Sequence, residues 1–359
     1  MGGTAAYNAG RMRSPSREQT SVTLRHRPLD LRLRHTFRIA RGASDVRENL
    51  LVEAEVGGLV GRGEAAPILR YREDRASAAR AVETMATQLA DPRAFAQAAG
   101  RVAVKGQSAA EAAVDMALHD LAGLRLQAPL YDVLGIDPRP TPETSFTIGL
   151  DTPEVVIQKV KEASAYPVLK VKMGSDRDRE VLTAVRDTTR QRIRVDANEG
   201  WTPEAALERL EWLATIGVEL VEQPLPADRI EETRALRRHS PIPFYADEGV
   251  HRAADIPRLA GAFDGINIKL MKCGGIAEAL RMIAVARAHG MKIMLGCMIE
   301  SSLAITAAAH LSPLVDTADL DGNLLVQDDP FEGATVVEGR LVLPDRPGLG
   351  VVARKSAQI

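Results

Sequence analysis

The chain lacks the features that mark several large classes of protein. It has only two cysteines, Cys273 and Cys297, and their spacing fits neither a disulfide framework nor a metal-binding motif. A net charge of -2 over 359 residues offers no electrostatic attraction to nucleic acid or to an anionic membrane. No apolar run approaches the roughly 18 residues of a membrane-spanning helix. These absences predict a cytoplasmic globular protein that has neither nucleic-acid nor membrane partners.

The chain divides into segments of different character. Residues 1–20 contain no apolar stretch of the kind found in signal peptides, and we expect them to form a disordered basic tail. Residues 21–140 predict an α+β unit, in which a hairpin turns at Gly57-Gly58 and the Ala- and Leu-rich residues 108–126 form a helix. We expect Ser108 to be the N-cap of that helix.

After Pro140 the pattern changes to short strands separated by amphipathic helices. The eight candidate strands read "TSFTIGL", "LKVKM", "IRVDANE", "LVEQPL", "FYADEG", "GINIKL", "KIMLGCM" and "ADLDG". This alternation predicts a (β/α)₈ barrel of the TIM type over residues 141–325. A doubly wound open sheet is the alternative, but no G-x-G-x-x-G follows any of the strands. Residues 326–359 are expected to pack back on the N-terminal unit.

The second candidate strand carries two lysines among apolar residues. Lys170 and Lys172 are two positions apart, so their side chains share a face about 6.6 Å apart. Burying two like charges costs several kcal/mol unless other groups compensate them. The strand therefore predicts acidic groups or an anion nearby.

Carboxylates occur near the ends of the next three strands. Asp196, Glu222 and Asp247 fall there, and Lys269 ends the sixth strand. A single Asp at such a position is more often a helix cap, and a single Lys is more often ion-paired on the surface. In a barrel, however, the carboxyl ends of the strands form the active site. Three converging carboxylates then predict a hard divalent cation, of which Mg²⁺ fits best.

Five motifs together resemble the enolase superfamily in its muconate-lactonising subgroup. They are "LKVKMG", "RVDANEGW", "VEQPLP", "YADEG" and "INIKLMKCGG", and the resemblance runs from about residue 22 onward. It implies that the N-terminal unit is a capping domain and that Asp196, Glu222 and Asp247 bind Mg²⁺. It also implies that Lys172 and Lys269 form an acid/base pair, which removes and returns a proton α to a carboxylate through an enediolate.

Three further residues near these motifs are assigned roles. Lys170 is expected to contact the substrate carboxylate. Asn198 shares the face of Asp196 and is expected to support that metal ligand. Lys272 has the opposite strand parity to Lys269, which predicts a loop or surface lysine.

The last strand suggests what the substrate carries. Asp319 and Asp321 lie two residues apart on one face, with no obvious protein cation nearby, and such a pair suits a substrate ammonium group. This Asp-x-Asp resembles the dipeptide epimerases, in which it binds the free α-ammonium. By the same analogy Thr147, Cys297 and Met298 line the pocket.

The capping domain contributes a weaker indication of specificity. "FRIARGAS" looks like a mobile loop that closes over the barrel, and it resembles the loop of L-Ala-D/L-Glu epimerases. Arg41 or Arg38 there, with Tyr71 and Arg72, could meet an acidic side chain. Loops vary within families and an exposed Arg is usually only solvated, so hydrophobic or mixed dipeptides remain open.

The sequence therefore predicts a Mg²⁺-dependent dipeptide epimerase, an isomerase whose favoured substrate is L-Ala-D/L-Glu. The alternatives in the same subgroup are an N-succinylamino acid racemase, an o-succinylbenzoate synthase and a muconate cycloisomerase, whose substrates lack a free ammonium. A non-catalytic barrel that binds a metabolite is the alternative of another class, and the full set of carboxylates and lysines counts against it. The sequence leaves open whether the chain is a monomer or a homo-oligomer.

Overall fold

The computed structural model describes residues 22–39, 42–89 and 102–355. The predicted tail, residues 1–20, and Arg41 lie outside the described residues. Within the described ranges, no helix is both long enough and apolar enough to cross a membrane.

The N-terminal part begins with an antiparallel sheet of three strands, β1 (Thr23–Ile39), β2 (Gly42–Val56) and β3 (Leu59–Ala65), in that order. Gly57 and Gly58 have φ of 57° and 81°, values that glycine adopts without strain, and they make the predicted hairpin turn. The described residues of the "FRIARGAS" segment, 37–39 and 42–44, are strand rather than loop. Phe37 pairs with Ser44, and the pairing continues to Ile39 and Gly42.

Among the described residues of this part, two helices cover the sheet, α1 (Arg75–Leu89) and α2 (Ser108–Leu126). Helix α2 packs so closely on β3 that a Cβ atom at Gly63 would lie 1.9 Å from the Ala113 carbonyl oxygen. The close packing therefore requires glycine at that position.

The prediction that Ser108 caps α2 is wrong, because Ser108 is the first residue of the helix and Gln107 precedes it as N-cap. The Glu73 carboxylate accepts the backbone N–H groups of Ser108 and Ala109, each at 2.9 Å. Burial raises the pKa of Glu73 to about 7, while these two N–H groups act in the opposite direction. A side chain 35 residues away in the chain does what a local cap was expected to do.

The second part is a barrel of eight parallel strands in chain order, from β4 (Phe146–Ile148) to β11 (Thr317–Asp319). All eight predicted strands are present, which confirms the TIM-type (β/α)₈ barrel. The backbone N–H of Ser145 donates to the Ala318 carbonyl at 3.1 Å, and Thr144 and Ala318 form a parallel bridge. These contacts bring the last strand beside the first.

The strands are β4 (Phe146–Ile148), β5 (Val168–Lys172), β6 (Arg192–Asp196), β7 (Val218–Glu222), β8 (Phe244–Ala246), β9 (Gly265–Lys269), β10 (Lys292–Gly296) and β11 (Thr317–Asp319). The helices after α2 are α3 (Leu130–Val133), α4 (Pro153–Glu162), α5 (Asp178–Thr188), α6 (Pro203–Thr215), α7 (Ile230–Arg237), α8 (Ile256–Leu259), α9 (Leu270–Cys273), α10 (Ile276–Ala288) and α11 (Ser302–Ala309). Four short strands follow, β12 (Phe331–Glu332), β13 (Thr335–Val337), β14 (Arg340–Val342) and β15 (Val352–Ala353). Short 3₁₀ turns span Leu69–Tyr71, Ala253–Asp255, Ser312–Leu314 and Gly322–Leu325.

The two parts share one hydrophobic core, which runs from the N-terminal sheet into the barrel. The C-terminal residues also reach the N-terminal part. Leu349 donates its backbone N–H to the Asp120 carboxylate on α2 at 2.7 Å, and Leu130 donates its N–H to the Gly348 carbonyl. The domain boundaries at residues 140 and 325 remain predictions.

Candidate active site at the mouth of the barrel

A cavity of about 560 Å³ lies between the N-terminal sheet and the carboxyl ends of the barrel strands. It is lined by most of the residues singled out from the sequence, namely Thr147, Lys170, Lys172, Asn198, Asp247, Lys269, Cys297, Met298, Asp319 and Asp321. Asp196 and Glu222 are not among the lining residues, and both are fully buried. The topology of a parallel barrel explains this grouping, because side chains at the ends of its strands meet at one mouth.

The three carboxylates predicted as metal ligands converge on one point. Asp196, Glu222 and Asp247 each offer one oxygen, and these oxygens all lie within 4.8 Å of one another. Strand register produces this convergence, since Asp196 is the direct partner of Glu222 between β6 and β7. Three hard oxygen donors at this spacing fit Mg²⁺.

Two lysines flank the carboxylates from opposite sides. Lys172 Nζ lies 2.7 Å from Asp196 Oδ2, and Lys269 Nζ lies 2.8 Å from Asp247 Oδ2. Lys172 ends β5, the second strand of the barrel, and Lys269 ends β9, the sixth. In a closed barrel of eight strands these positions are diametrically opposed, so a molecule in the cavity meets one amine on each side.

Charge and burial act differently on the three carboxylates. Burial alone would raise the pKa of Asp196, but Lys172 and Lys170 outweigh it and hold that pKa well below its usual value. Lys269 and Lys272 have the same effect on the pKa of Asp247. Burial and neighbouring Asp196 instead raise the pKa of Glu222 to about 7. Glu222 is therefore the carboxylate whose negative charge the neighbouring lysines compensate least. A bound dication would stabilise this charge most.

Lys170 lies deepest and joins three carboxylates. Its Nζ is 2.7 Å from Asp319, 2.8 Å from Glu222 and 3.2 Å from Asp196. Burial disfavours the charged amine, but these carboxylates outweigh burial and raise the pKa of Lys170. The like charge of Lys172 is therefore tolerated because each lysine has its own acidic partner.

The prediction that Lys272 is a loop or surface lysine is wrong. Its side chain is 1% exposed, and Nζ donates to both a side-chain oxygen and the carbonyl oxygen of Asp247. Nζ also lies 3.2 Å from each of the carbonyl oxygens of Val250 and Asn267. Strand parity fails here because the chain enters helix α9 directly after Lys269.

Two amide residues support the carboxylates. Asn198 donates its backbone N–H to Asp196 Oδ1 at 2.9 Å, so it contacts this carboxylate as expected, although through the main chain. Asn267 donates its side-chain Nδ2 to Glu222 Oε1 at 2.9 Å. Asn267 was not predicted from the sequence, although it lies two residues before Lys269 on the same face of β9 and strand alternation could have identified it.

The expectation that Asp319 and Asp321 have no protein cation nearby is wrong for Asp319. Lys170 donates to Asp319 Oδ2, and Ser145 Oγ donates to Oδ1 at 2.6 Å. Asp321 instead accepts the backbone N–H of Thr147 at 2.6 Å. Burial and the neighbouring Asp319 raise the pKa of Asp321 to about 6. Asp319 thus has a cationic partner, whereas the carboxylate of Asp321 is bound only by a neutral backbone N–H group among the bonds described.

The cap residues considered for specificity are dispersed. Tyr71 lines the cavity and packs edge-on against His251. Arg38 Nη1 lies 3.3 Å from Asp151, and Arg72 is exposed and outside the cavity lining. Arg41 lies outside the described residues.

Comparisons with known proteins agree with this architecture. Residues 20–135 match the family described as mandelate racemase/muconate lactonizing enzyme, N-terminal domain, and residues 155–357 match the family described as enolase C-terminal domain-like. The chain therefore has the two-domain organisation of the enolase superfamily, and it belongs to the mandelate racemase/muconate lactonizing family. The resemblance drawn from the five motifs is confirmed.

Among its relatives are proteins named as epimerases. The chain is 43% identical over 330 residues to the L-Ala-D/L-Glu epimerase of Bacteroides thetaiotaomicron, covering 90% of this chain and 86% of that protein. It is 42% identical over 341 residues to the L-Ala-D/L-amino acid epimerase of Pedosphaera parvula, covering 91% and 98%. A solved dipeptide epimerase from Cytophaga hutchinsonii, in complex with Mg and the dipeptide D-Ala-L-Val, is 27% identical with a TM-score of 0.88, covering 94% and 96%.

Proposed function

We propose that the protein is a Mg²⁺-dependent dipeptide epimerase whose favoured substrate is L-Ala-D/L-Glu. The observation that carries this proposal is the opposed pair of amines, Lys172 and Lys269, on strands four apart in an eight-stranded barrel. An epimerase must remove a proton from one face of a carbon and deliver one to the other face. Two amines that face each other across the cavity can perform both steps.

Asp196, Glu222 and Asp247 would hold the metal ion. When bound there, Mg²⁺ stabilises the negative charge that develops on the substrate carboxylate as the α-proton leaves. Their burial and mutual approach within 4.8 Å support this role, because three carboxylates without a dication would repel one another. Lys170, which contacts two of them, is placed to approach the same substrate carboxylate.

Each lysine acts on one stereoisomer. In one direction the neutral amine of Lys172 takes the α-proton and the ammonium of Lys269 supplies a proton to the opposite face. In the other direction the roles are exchanged. Cap residues such as Tyr71 and Ile68, which line the cavity from the N-terminal part, limit the access of water to the reacting carbon.

The ammonium of the N-terminal residue is assigned to Asp321. Its buried carboxylate has a raised pKa and no lysine bonded to it among the described residues, so a substrate cation compensates a charge that the protein leaves exposed to the cavity. Asp319 contributes less, because Lys170 already balances its charge. Thr147, Cys297 and Met298 line the same part of the cavity.

Neither the barrel nor the small-molecule substrate indicates where in the cell the protein is located. A cytoplasmic location is part of the proposal and is supported by the two free cysteines, Cys273 and Cys297.

An N-succinylamino acid racemase is the competing function, because the Lys170–Asp319 ion pair removes half of the charge that would attract an ammonium. A panel of substrates in D₂O with Mg²⁺ decides between them. We expect α-proton exchange and epimerisation of L-Ala-L-Glu, with L-Ala-L-Leu and N-succinyl-L-glutamate as poorer substrates. Turnover of the N-succinyl compound without turnover of either dipeptide would overturn the proposal.

A further inference from the structure

Arg47 occupies a distinctive position in the capping sheet. It lies on β2, opposite Leu31 of β1, and its side chain lines the cavity. Asn49 is two residues further along β2, so it shares the same face, about 6.6 Å away. Asn49 also lines the cavity and donates Nδ2 to the Ile299 carbonyl at 3.2 Å. This contact fixes the strand to the barrel rim and sets Arg47 above the mouth.

The strand beside Arg47 is fixed as well. Arg34 on β1 donates Nε to the Leu324 carbonyl at 3.1 Å, and Leu33 forms a bridge with Val326. The sheet that carries Arg47 is therefore anchored along two edges to segments that follow β10 and β11. Arg47 projects from a rigid element rather than from a loop.

The guanidinium of Arg47 has no acidic partner among the described residues. No hydrogen bond or ion pair joins it to any of them, and burial is the cause of its lowered pKa. Each of the other cationic side chains that line the described cavity has a carboxylate partner. Lys170, Lys172 and Lys269 each bond to a carboxylate, and Arg70 bonds to Glu199.

A half-buried guanidinium without a counter-ion is costly, and its planar fork of donors suits a carboxylate. Neither terminal group of the substrate is expected to meet it. The proposed function places the α-carboxylate at the metal ligands and the ammonium at Asp321. Arg47 lies on the capping sheet, whereas the metal ligands and Asp321 lie at or just beyond the carboxyl ends of the barrel strands on the other side of the cavity. The remaining anionic group that a dipeptide can carry is a side chain.

We propose that Arg47 binds the side-chain carboxylate of the residue that is epimerised, and so selects dipeptides with an acidic C-terminal residue. This inference rests on the proposed function and adds to it the residue that recognises the side chain of the substrate's C-terminal residue. It differs from the assignment of specificity to Arg41 or Arg38, because Arg47 lies further along the chain, on β2 and paired with Leu31.

The test compares L-Ala-L-Glu with L-Ala-L-Gln, which has the same shape without the charge. In Arg47→Met we expect kcat/KM for L-Ala-L-Glu to fall about 10- to 100-fold, and kcat/KM for L-Ala-L-Gln to change less than about threefold. Arg47→Lys keeps the positive charge but lacks the planar set of guanidinium N–H donors. Its kcat/KM should fall roughly 3- to 10-fold for L-Ala-L-Glu alone. Arg47→Glu should shift preference toward L-Ala-L-Lys, a change that a merely structural residue would not produce.

Arg32→Met is the matched control, because Arg32 pairs with Val46 next to Arg47 but its side chain is 76% exposed and outside the cavity lining. It should leave the Glu/Gln ratio unchanged, and thermal unfolding of all variants checks that they fold. An unchanged Glu/Gln ratio in both Arg47→Met and Arg47→Lys would overturn the inference while leaving the epimerase intact. An effect on L-Glu-L-Ala instead of L-Ala-L-Glu would overturn it too. Failure of the proposed function has another signature, since wild type would then epimerise neither dipeptide.

Discussion

The charge on Asp321 provides a quantitative test of dipeptide recognition. Acetylation of the N-terminal amine of L-Ala-L-Glu removes the substrate cation and leaves the rest of the molecule in place. The acetylated compound then presents a neutral amide to a buried carboxylate. We expect it to be a much poorer substrate than the free dipeptide.

The size of the effect follows from the pKa of Asp321. Burial and the neighbouring Asp319 raise this pKa from the ordinary 3.8 to about 6. Each pKa unit corresponds to about 1.36 kcal/mol, so the protein holds this charge at a cost of about 3 kcal/mol. A substrate ammonium that offset this cost would give a preference on the order of 100-fold. We expect a 10- to 100-fold preference in kcat/KM.

The assay is ¹H NMR in D₂O with Mg²⁺, which follows loss of the Glu α-proton signal for the free and the acetylated dipeptide. In Asp321→Asn most of the preference should disappear, because the group that distinguishes the two substrates has lost its charge. Asp328→Asn is the control, since Asp328 is half exposed and outside the cavity lining. Equal kcat/KM values for the two substrates in wild type would refute the ammonium site and favour an N-acylamino acid racemase.

Three further predictions concern the metal, the pH dependence and stability. Glu222→Gln should weaken Mg²⁺ binding, as measured by calorimetry, and abolish turnover, while its unfolding temperature stays close to that of wild type. A wild-type Mg²⁺ affinity in this variant would contradict the ligand assignment. Because Asp321 gains a proton as the pH falls through about 6, kcat/KM for the free dipeptide should fall over that range and kcat/KM for the acetylated one should not; parallel profiles would count against the assignment. Burial and neighbouring Glu64 raise the pKa of Glu300 to about 8 from the ordinary 4.5, so the folded state binds the extra proton and Glu300 costs stability as the pH rises through that window. The unfolding temperature of Glu300→Gln should therefore exceed that of wild type by a margin that widens between about pH 5 and pH 8, and a constant margin would contradict the raised pKa.

Side chains at strand ends could be assigned from the sequence because two local rules fix them. Alternation places Lys170 and Lys172 on one face, and a parallel barrel brings the ends of its strands to one mouth. Both rules apply to residues inside a strand or at its last position. Asp196 and Lys269, which end their strands, lie in the cluster at the mouth as expected, while their roles remain predictions.

The misassigned residues depend on geometry beyond those rules. Lys272 follows the end of β9, where a helical turn replaces alternation and returns the side chain to Asp247. The pairing of Lys170 with Asp319 joins β5 to β11, which are separated by β4 in the closed sheet and by 149 residues in the chain. Only the curvature of the barrel brings them into contact.

Contacts between the two parts of the chain could not be predicted from the sequence either. Glu73 caps α2 from a turn that precedes α1, and nothing in its neighbourhood distinguishes it from a surface acid. Arg47 has the pattern of an exposed strand residue, with Val46 and Glu48 on either side. Its place above the cavity depends on how the sheet docks on the barrel.

The central claim, epimerisation by two opposed lysines, is tested most directly by α-proton exchange in Lys172→Ala and Lys269→Ala. Each variant is incubated in D₂O with L-Ala-L-Glu and separately with L-Ala-D-Glu, and deuterium at the Glu α-carbon is followed by ¹H NMR. We predict that neither variant interconverts the epimers, and that any residual exchange is confined to one epimer in Lys172→Ala and to the other in Lys269→Ala. Interconversion of both epimers at the wild-type rate by either variant would contradict the account.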